Sequence, residues 1–323
     1  MDDARDGAPI SAIVISYFTG PVLARCISSL RRQAPVGEII LVDNGNLKGD
    51  VDKAVASDGD GAPVHVLSGH GNIGFAAACN LGAAKAKGEF LLYLNPDAIM
   101  PEGGAAQLLA NSAALERPWL MGPKLVDPDG REQQGSRREV LTPWRAFVEA
   151  ARLYKLAPQH PYFRRFNLHT HECPEDVIEL PTLSGACFFL PKEDYDRIGG
   201  MDERYFLHVE DVDFCLRFAK ADGRVYFNPH VDVTHFKSSS RANPIKIEAR
   251  KTAGVIRYFN THFSDAYPRP FLWLVAMTLW ALFGLLFIRR GAAKLLRMAR
   301  LRLRSGSRAT RLARKLFDRR SSR

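Results

Sequence analysis

The sequence predicts an α/β fold with a mostly parallel, Rossmann-like sheet that carries helices on both faces. Short apolar runs alternate with helical segments through the first hundred residues. The runs are apolar at consecutive positions, which is typical of strands buried on both faces of a parallel sheet. The segments between them are long enough for the crossover connections that parallel strands need.

Four strands and three helices are predicted in this first region. Apolar runs place the strands, while a proline at one helix start and a glycine at one helix end help to place the helices. The strands are expected at residues 10–16, 38–44, 63–68 and 89–95, and the helices at residues 21–33, 74–88 and 101–115. This alternation implies the parallel order of βαβ units.

The second region is less regular. Residues 131–176 are rich in Arg, His and Pro and show no clear period, so a long loop with one helix near 143–157 is expected. Regular elements return beyond it: a strand at 182–190, a short helix, a Gly-Gly loop, a helix at about 210–221, a strand at 224–228 and a helix at 244–263.

The positive charge of the chain is concentrated at its C-terminal end. The formal net charge is +10, but residues 289–323 carry 14 Lys and Arg against a single acid, Asp318. Such a block fits either nucleic acid or an anionic membrane. Residues 271–288, directly before it, form 18 residues without a charge, which is near the lower length limit for a membrane-spanning helix. This neighbour favours anionic lipids and disfavours nucleic acid.

Two further features bear on the compartment. The N-terminus is acidic and has no apolar run, so no signal peptide is expected and the first strand is expected in the cytosol. The five cysteines form no CxxC pair, which fits reduced thiols better than a disulfide framework. We therefore expect attachment to the cytoplasmic face of the membrane through the C-terminal segment, with residues 271–288 dipping into that leaflet without crossing.

Polar residues follow the predicted parallel strands at the points where those strands end. Ligands bind beyond the carboxyl ends of such strands, which places Tyr17, Asp43, Asn44, Asn72 and Asp97 on one edge. Asp97 stands in Asn-Pro-Asp, which is also an ordinary turn sequence. Two acids at this edge could serve a nucleotide, one by accepting hydrogen bonds and one by holding a divalent cation on the phosphates.

Other candidate residues lie later in the chain. Glu210, Asp211 and Asp213 open a helix, where acids commonly act as caps, but a glycine-rich aromatic loop precedes them and suggests a general base. His235 is either a packed residue or a metal ligand, and Lys237 and Arg241 after it could meet phosphate oxygens. A zinc site at 169–173 is disfavoured by the lack of a second ligand pair. The glycines at 71, 74 and 82 do not have dinucleotide-binding spacing.

Taken together, these stretches resemble glycosyltransferase family 2, the inverting enzymes of the GT-A fold, and within it the rhamnosyltransferase-like branch. The matching segments are "IVISYFTGPVLARCISSL", "ILVDNGN", "GNIGFAAACNLGA", "LLYLNPDA", "LSGACFFLPKEDYDRIGGMDERYFLHVEDVDFCLR" and "VTHF". The resemblance implies residues 1–100 as the nucleotide-sugar half and 101–240 as the acceptor and catalytic half. The sequence pattern beyond it predicts 241–270 as a C-terminal helix and 271–323 as a membrane segment with a basic amphipathic tail.

The resemblance also implies roles for individual residues. Asp211 falls on the catalytic base, with Glu210 and Asp213 in support, and Asp97 and His235 fall on ligands for Mg²⁺ or Mn²⁺. Asn95 stands where the DXD motif of many relatives has its first Asp. The residues expected around the nucleotide sugar are Tyr17, Asp43, Asn44, Asn72, Gly74, Asn80 and Asn95. Those expected around the acceptor are Gly185, Gly199, Gly200, Met201 and Phe206.

The implied activity is a single, metal-dependent sugar transfer with inversion. The branch suggests dTDP-L-rhamnose as donor, and a saccharide on a polyprenyl diphosphate lipid is the expected acceptor because the enzyme carries its own membrane attachment. A galactofuranose or hexose donor stays open, as does a non-catalytic protein that binds sugar nucleotides. The absence of a Q-x-x-R-W motif disfavours a processive synthase.

Overall fold

A mixed β-sheet forms the centre of the molecule in the computed structural model, which describes residues 7–56, 61–157, 160–236 and 243–289. The strands are β1 Ile10–Ser16, β2 Val36–Asp43, β3 Val64–Leu67, β4 Phe90–Leu94, β5 Ala98–Ile99, β6 Trp119–Val126, β7 Arg137–Arg138, β8 Ile178–Glu179, β9 Thr182–Leu183, β10 Cys187–Pro191 and β11 Arg224–His235. The helices are α1 Val22–Arg31, α2 Asp50–Ala56, α3 Phe75–Lys85, α4 Gly104–Ser112, α5 Pro143–Ala150, α6 Lys192–Arg197, α7 Glu210–Lys220, α8 Pro244–His262 and α9 Arg269–Arg289.

The sheet order is β3-β2-β1-β4-β10-β6-β11-β5, with β8 paired to β11. The first four strands of this order are mutually parallel, as the alternating sequence predicts. Strand β10 enters antiparallel between β4 and β6, and β11 returns parallel to β6. The predicted fold class is therefore confirmed, and every antiparallel pairing in the main sheet involves β10 or β11 from the second half of the chain.

Two apolar clusters hold the described residues together. The larger one packs around the sheet and draws on both the first hundred residues and the segment up to Val233, so these two halves share one core. The smaller one combines α5, α7, α8 and α9, through Ala146, Val212, Tyr258, Phe259 and Leu272 among others. It lies beneath the loop that precedes α7, since Tyr205 and Val209 belong to it.

The structure differs from the sequence-based expectation at several elements. The run at 182–190 forms two strands, because the extended structure is interrupted at Ser184–Gly185. Strand β9 pairs with β7 in a separate two-stranded sheet, and only β10 joins the main sheet. Strand β11 continues to His235, past a register shift between Asn228 and Asp232. Helix α2 and the two-residue strand β5 were not expected, because both are short.

Helix α9 is the described helix that is long and apolar enough to cross a membrane by length and composition, with a mean hydropathy of 2.4. Its first turns contact the protein, since Leu272 and Val275 are buried in the smaller cluster. The basic tail that was expected to follow, from residue 290 onward, lies outside the described residues, as do Lys237 and Arg241.

Candidate active site

The carboxyl ends of β1 and β2 are tied together by a turn around Asp43. The Asn44 amide donates to the Ser16 carbonyl at 2.9 Å. Asp43 Oδ1 accepts from the Gly45 and Asn46 amides, each at 3.0 Å, and from Asn46 Nδ2 at 2.7 Å. Asp43 thus forms an Asx-type turn, the structural role its sequence also allows. Tyr17 follows β1 and lies beside this turn, because a Cβ on Gly45 would stand 3.5 Å from its ring.

Asn44 joins the same edge to the start of α3. Its Nδ2 donates to the Gly74 carbonyl at 2.9 Å, and the Gly74 amide donates to Asn72 Oδ1 at 3.1 Å. Gly74 has φ +90°, and a Cβ there would lie 2.7 Å from the Phe206 carbonyl oxygen, so only glycine fits. The next amide, that of Phe75, donates to this same carbonyl at 2.8 Å. The expected nucleotide and acceptor segments therefore meet here.

Asp97 and His235 are brought together by the pairing of β5 with β11. His235 pairs with Ala98, and the Phe236 amide donates to the Asp97 carbonyl at 2.9 Å. His235 Nε2 consequently lies 3.2 Å from Asp97 Oδ1 and 3.4 Å from Asn95 Nδ2. The structure thus places next to each other two residues that are 138 positions apart in the sequence and were each expected to bind a metal.

Gln133 fixes the tautomer of His235. Its Nε2 donates to Asp127 Oδ1 at 2.7 Å and to the His235 carbonyl at 3.0 Å, so its Oε1 faces His235 Nδ1, at 2.7 Å. The ring proton of a neutral imidazole then lies on Nδ1. The lone pair of Nε2 faces Asp97, and two acceptors at this separation fit a cation between them, with Gln133 as the outer partner that orients the ring.

This donor set fits Mg²⁺ or Mn²⁺ on a nucleotide better than a closed protein metal site. Within the described ranges no group of three or more His, Cys, Asp or Glu is clustered for a metal. Cations that act on nucleotide phosphates take few protein ligands and complete their shell with phosphate oxygens and water. One carboxylate and one imidazole are sufficient for that arrangement.

Asp211 is held at the start of α7 by three donors. Its Oδ2 accepts from the Gly185 amide at 3.0 Å and from the Arg138 guanidinium, and its Oδ1 accepts from the Val212 amide at 2.8 Å. Burial alone would raise the pKa of Asp211, but the Arg138 charge and these hydrogen bonds outweigh it and hold the pKa below its usual value. The carboxylate is therefore ionised near neutral pH, as a general base must be.

Asp211 and the Asp97–His235 pair lie on either side of one strand pairing. Strand β10 pairs with β4 through Cys187 and Leu94, and the Asn95 amide donates to the Ala186 carbonyl at 2.8 Å. Gly185, the preceding residue, holds Asp211 through its amide, and a Cβ on it would lie 2.9 Å from the Asp211 Cβ. Asn95 and Asp211 therefore contact two neighbouring residues that precede β10, Ala186 and Gly185.

Comparison with known proteins identifies the architecture. Residues 11–174 match the family model described as Glycosyl transferase family 2. The chain belongs to glycosyl transferase family 2. The family recognised from the sequence is thus confirmed, and with it the assignment of the chain as a glycosyltransferase.

Sequence relatives of this family 2 glycosyltransferase include a rhamnosyltransferase and an O-antigen biosynthesis protein. An N-acetylglucosaminyl-diphospho-decaprenol L-rhamnosyltransferase of Mycobacterium tuberculosis is 29% identical over 247 residues, which cover 72% of this chain and 77% of that protein. The O-antigen biosynthesis protein RfbC of Myxococcus xanthus is 26% identical over 73% of this chain, but the match covers 18% of that much longer protein.

Solved structures share the fold at low identity. GalNAc-T7 with UDP, GalNAc and Mn²⁺ superposes with a TM-score of 0.56 at 17% identity, covering 79% of this chain and 48% of that one. The mannosyltransferase PcManGT from Pyrobaculum calidifontis, with GDP-Man and Mn²⁺, gives 0.52 at 15% identity, covering 84% and 68%. These similarities confirm the expected GT-A fold.

The loop before α7 in this glycosyltransferase has an uncommon backbone. His208 and Val209 have φ of +67° and +76°, a region that β-branched residues rarely adopt. Val209 is buried in the smaller cluster, and the Arg250 guanidinium of α8 lies 3.7 Å from the centre of the Phe206 ring. The packing of α8 thus fixes a strained turn that delivers Glu210 and Asp211, which is common at functional sites.

Asp213 supports the start of α7 from a buried position. It is fully buried and accepts from Arg217 Nε and from His262 Nε2, each at 2.7 Å. Arg217 also donates to the carbonyls of Ile198 and Gly200, at 3.1 and 2.8 Å. Asp213 therefore anchors both the Gly-Gly loop and the end of α8 to the helix that carries Asp211.

Glu210 is buried next to Asp211 and differs from it electrostatically. Its Oε2 has no hydrogen-bond partner among the described residues. Burial, together with the neighbouring Asp211 charge, raises the pKa of Glu210 to about 8. Two adjacent acids thus carry opposite protonation states near neutral pH, with Glu210 protonated and Asp211 ionised.

Asn80 fixes the loop that was expected to contact the acceptor. Its Oδ1 accepts from Tyr195 Oη at 2.5 Å and from the Met201 amide at 2.9 Å, and its Nδ2 donates to the Met201 carbonyl and to Glu203. Gly199 and Gly200 have φ of +75° and +68°, and a Cβ on Gly200 would meet Asn80 at 2.5 Å. The structure gives Asn80 this bracing role, and its contact with a nucleotide stays a prediction.

An open cleft of about 770 Å³ lies between α3 and this loop. It contains three of the expected site residues, Asn72, Asn80 and Phe206, so nucleotide-side and acceptor-side residues share one cavity. The other lining residues were not expected from the sequence: His70, Ile73, Ala77, Leu81 and Glu203.

Two residues that contact Asp211 and His235 were missed by sequence reasoning. Arg138 lies in the irregular 131–176 segment and reaches Asp211 only because β7 pairs with β9. Gln133 lies in the same segment and orients His235. Neither residue lies in a segment with a clear hydrophobic period or at the end of a predicted strand, so a single sequence offers no local signal for either.

Proposed function

We propose that this glycosyltransferase transfers one sugar per encounter from a nucleoside diphosphate donor to a saccharide carried on a polyprenyl diphosphate lipid, with inversion at the anomeric carbon. The donor we favour is dTDP-L-rhamnose, and the acceptor class follows the name of the mycobacterial relative. The observation that carries the proposal is the arrangement at β4 and β10, where an ionised Asp211 and the Asp97–His235 pair flank one strand pairing.

In this proposal Asp211 acts on the acceptor. Its carboxylate takes the proton from the acceptor hydroxyl as that oxygen bonds to the anomeric carbon from the face opposite the leaving diphosphate, which inverts the configuration. The Gly185 and Val212 amides keep the carboxylate oriented. The strained Val209 turn places it at the start of α7 without a flexible linker.

Asp97 and His235 would hold Mg²⁺ or Mn²⁺, with diphosphate oxygens and water in the remaining positions. When bound, the cation supplies Lewis-acid stabilisation of the departing diphosphate. The edge formed by Tyr17, Asp43 and Asn44 would receive the nucleoside, with Asn72 and Gly74 beside the sugar or the phosphates. Phe206, Met201 and the Gly199–Gly200 turn would form the acceptor side.

The membrane-associated acceptor is supported by α9. Leu272 and Val275 are buried on the protein and Leu279 packs against the same cluster, so the free apolar turns run from residue 280 to 288, about 14 Å at 1.5 Å per residue. A bilayer core is ~30 Å thick, and Arg289 and Arg290 follow at once. We propose that α9 enters the cytoplasmic leaflet without crossing and that the basic tail lies on anionic headgroups.

A donor panel tests the proposal directly. The full chain is melted with dTDP-rhamnose, UDP-galactofuranose, UDP-hexoses and GDP-mannose, each with and without Mn²⁺, because a true donor stabilises by mass action. The stabilising donor is then offered a synthetic N-acetylglucosaminyl diphosphate polyprenol. We expect a product whose anomeric configuration, read by NMR, is opposite to that of the donor sugar. Donor binding without any transfer would favour the alternative of a non-catalytic sugar-nucleotide-binding protein.

A further inference from the structure

Helix α9 presents two different faces. Leu272 and Val275 are 7% and 1% exposed and pack in the smaller cluster, whereas Trp273 and Met277 on the other side are 66% and 63% exposed. Trp280 continues the outer stripe one turn later. Single exposed apolar residues are ordinary on soluble proteins, but a row of two tryptophans and a methionine marks a contact surface.

A second exposed apolar site lies next to the first turn of α9, although it comes from a segment more than a hundred residues earlier. Tyr162 is 60% exposed and Leu156 is 77% exposed. Trp144 connects Tyr162 to α9: its ring lies 4.7 Å from that of Tyr162 and 6.4 Å from that of Phe271. Trp144 Nε1 also donates to the Tyr162 carbonyl at 2.8 Å, which fastens the segment in place.

Basic side chains surround these apolar residues. Arg152, Lys155, Arg164 and Arg269 are all exposed. Two acids of the same region are partly buried and paired, Glu139 with Arg145 and Arg164, and Glu149 with Arg165, and Asp265 is exposed, so basic groups outnumber acids. The region therefore presents a positive surface with aromatic and aliphatic side chains at its centre.

We propose that the described part of the 152–164 segment, residues 152–157 and 160–164, and the outer face of α9 together rest on an anionic lipid bilayer. Tyrosine and tryptophan favour the headgroup level, and arginine and lysine are attracted to anionic lipids. Trp144 and Phe271 hold the segment beside the first turn of α9, and the basic side chains around it match anionic headgroups, which selects the bilayer over a separate protein partner. The inference rests on the proposed function only in taking the acceptor to be membrane-borne.

This surface would set the position of the catalytic base relative to the lipid. The inner face of α9 packs in the same cluster as Val209 and Val212, the residues on either side of Glu210 and Asp211. Two contacts, one from the helix and one from the segment, define an orientation on the membrane that a single helix leaves free to rotate. The active-site edge would thus be held at a fixed angle to the bilayer.

Site-specific fluorescence tests the docking surface without any sugar transfer. Single cysteines are placed at Tyr162, at Met277 and, as a control, at Glu193, whose side chain is 82% exposed on α6. The native cysteines at 26, 79, 187 and 215 are buried, so Cys173→Ser leaves a background that a polar fluorophore labels at the introduced site. Full-length protein is then mixed with phosphatidylglycerol vesicles carrying brominated acyl chains.

We expect quenching at positions 162 and 277 to exceed that at position 193 by at least about twofold, as for side chains inserted at the acyl boundary. Quenching at 277 with none above the control at 162 would show that α9 attaches alone, and the proposal would be wrong. Quenching at neither site, with the protein still bound to the vesicles, would assign binding to the basic tail and would also overturn it.

A binding measurement gives an independent check. Leu156→Ser combined with Tyr162→Ser should weaken partitioning onto the same vesicles by roughly tenfold at high salt, where burial of apolar surface outweighs screened charge. Leu47→Ser, at a leucine that is 50% exposed elsewhere, is the matched control and should bind as the parent does. Equal partitioning of all three proteins would contradict a lipid contact at the 152–164 segment.

Discussion

Asp43 and Asp97 lie where the parallel strands β2 and β4 end, whereas Asp211 and His235 reach the same edge of the sheet from far along the chain. In the first region the βαβ order alone brings the carboxyl ends of β1, β2 and β4 side by side. In the second region β10 must insert antiparallel next to β4, and β11 must meet β5, before the site exists. The position of the first two acids is thus a local consequence of the fold, whereas the positions of Asp211 and His235 depend on long-range pairing.

The two regions also differ in electrostatics. Asp43 is half-buried and its bonds stay within one turn. Asp211 is held by Arg138 from β7 and by Gly185 from the loop before β10, and it lies beside a buried acid with a raised pKa. Perturbed acids of this kind are typical of catalytic sites, so the comparison predicts larger functional effects in the second region.

The largest effect is expected for Asp211→Asn. The amide retains the shape and can still accept from Gly185, but it cannot take a proton, so turnover should fall by ~10²–10⁴-fold with donor binding unchanged. Transfer rates and donor affinity by calorimetry measure the two separately. Asp232→Asn, at an exposed acid paired with Lys124, is the control and should behave as the parent. Turnover of Asp211→Asn within about threefold of the parent, far below that range, would make Asp211 a helix cap only.

The next largest effect is expected for Asp97→Ala, followed by His235→Ala. Loss of the carboxylate should weaken Mn²⁺-dependent binding of the nucleoside diphosphate by more than about tenfold, and loss of the single neutral ligand by less. Calorimetric titration of the diphosphate with and without Mn²⁺ gives both values. Gln133→Ala should resemble a mild form of His235→Ala, because it releases the ring orientation. Unchanged metal dependence in Asp97→Ala and His235→Ala would exclude this pair as the metal site.

These contrasts explain which parts of the molecule the sequence predicts. Strand β1 was placed at its observed bounds, and Asp97 and Asp211 were selected, because a buried strand or a helix start marks such positions locally. The interruption of the strand at Gly185 was missed, since the predicted nine-residue strand does not reveal which of its residues pair with a different strand. Arg138 was missed for a related reason: its partner Asp211 is 73 positions away, and only the β7–β9 pairing joins them.

Arg138 offers a sharper test of the long-range region. Burial raises the pKa of Asp211 and the Arg138 charge opposes this, so Arg138→Gln should raise that pKa. The acid limb of the kcat/KM profile should therefore move to higher pH, while Arg138→Lys should restore much of the parent profile. Breaking a buried pair also costs stability, about 3 kcal/mol by general experience, so melting is measured in parallel. An unchanged acid limb in a folded Arg138→Gln protein would contradict the pairing as the source of the base's ionisation.

The smallest effect on sugar transfer is expected at Glu210. The change expected there is a dependence of the protein's stability on pH. The folded-state pKa of Glu210 is raised from its ordinary value of 4.5 to about 8, mainly by burial and by the Asp211 charge. A raised pKa means that the folded state holds the proton more tightly, so the favourable contribution is present at low pH and is lost as the pH rises through about 8.

Glu210→Gln keeps the neutral shape and removes this titration. Compared with the variant, the parent should lose roughly 3 kcal/mol between pH 6 and pH 8, at about 1.4 kcal/mol per pH unit, and little more above that. Urea unfolding of both proteins at pH 6, 8 and 9 measures the difference. A stability difference that stays constant over this range would show that Glu210 is already ionised in the folded protein, and its contrast with Asp211 would disappear.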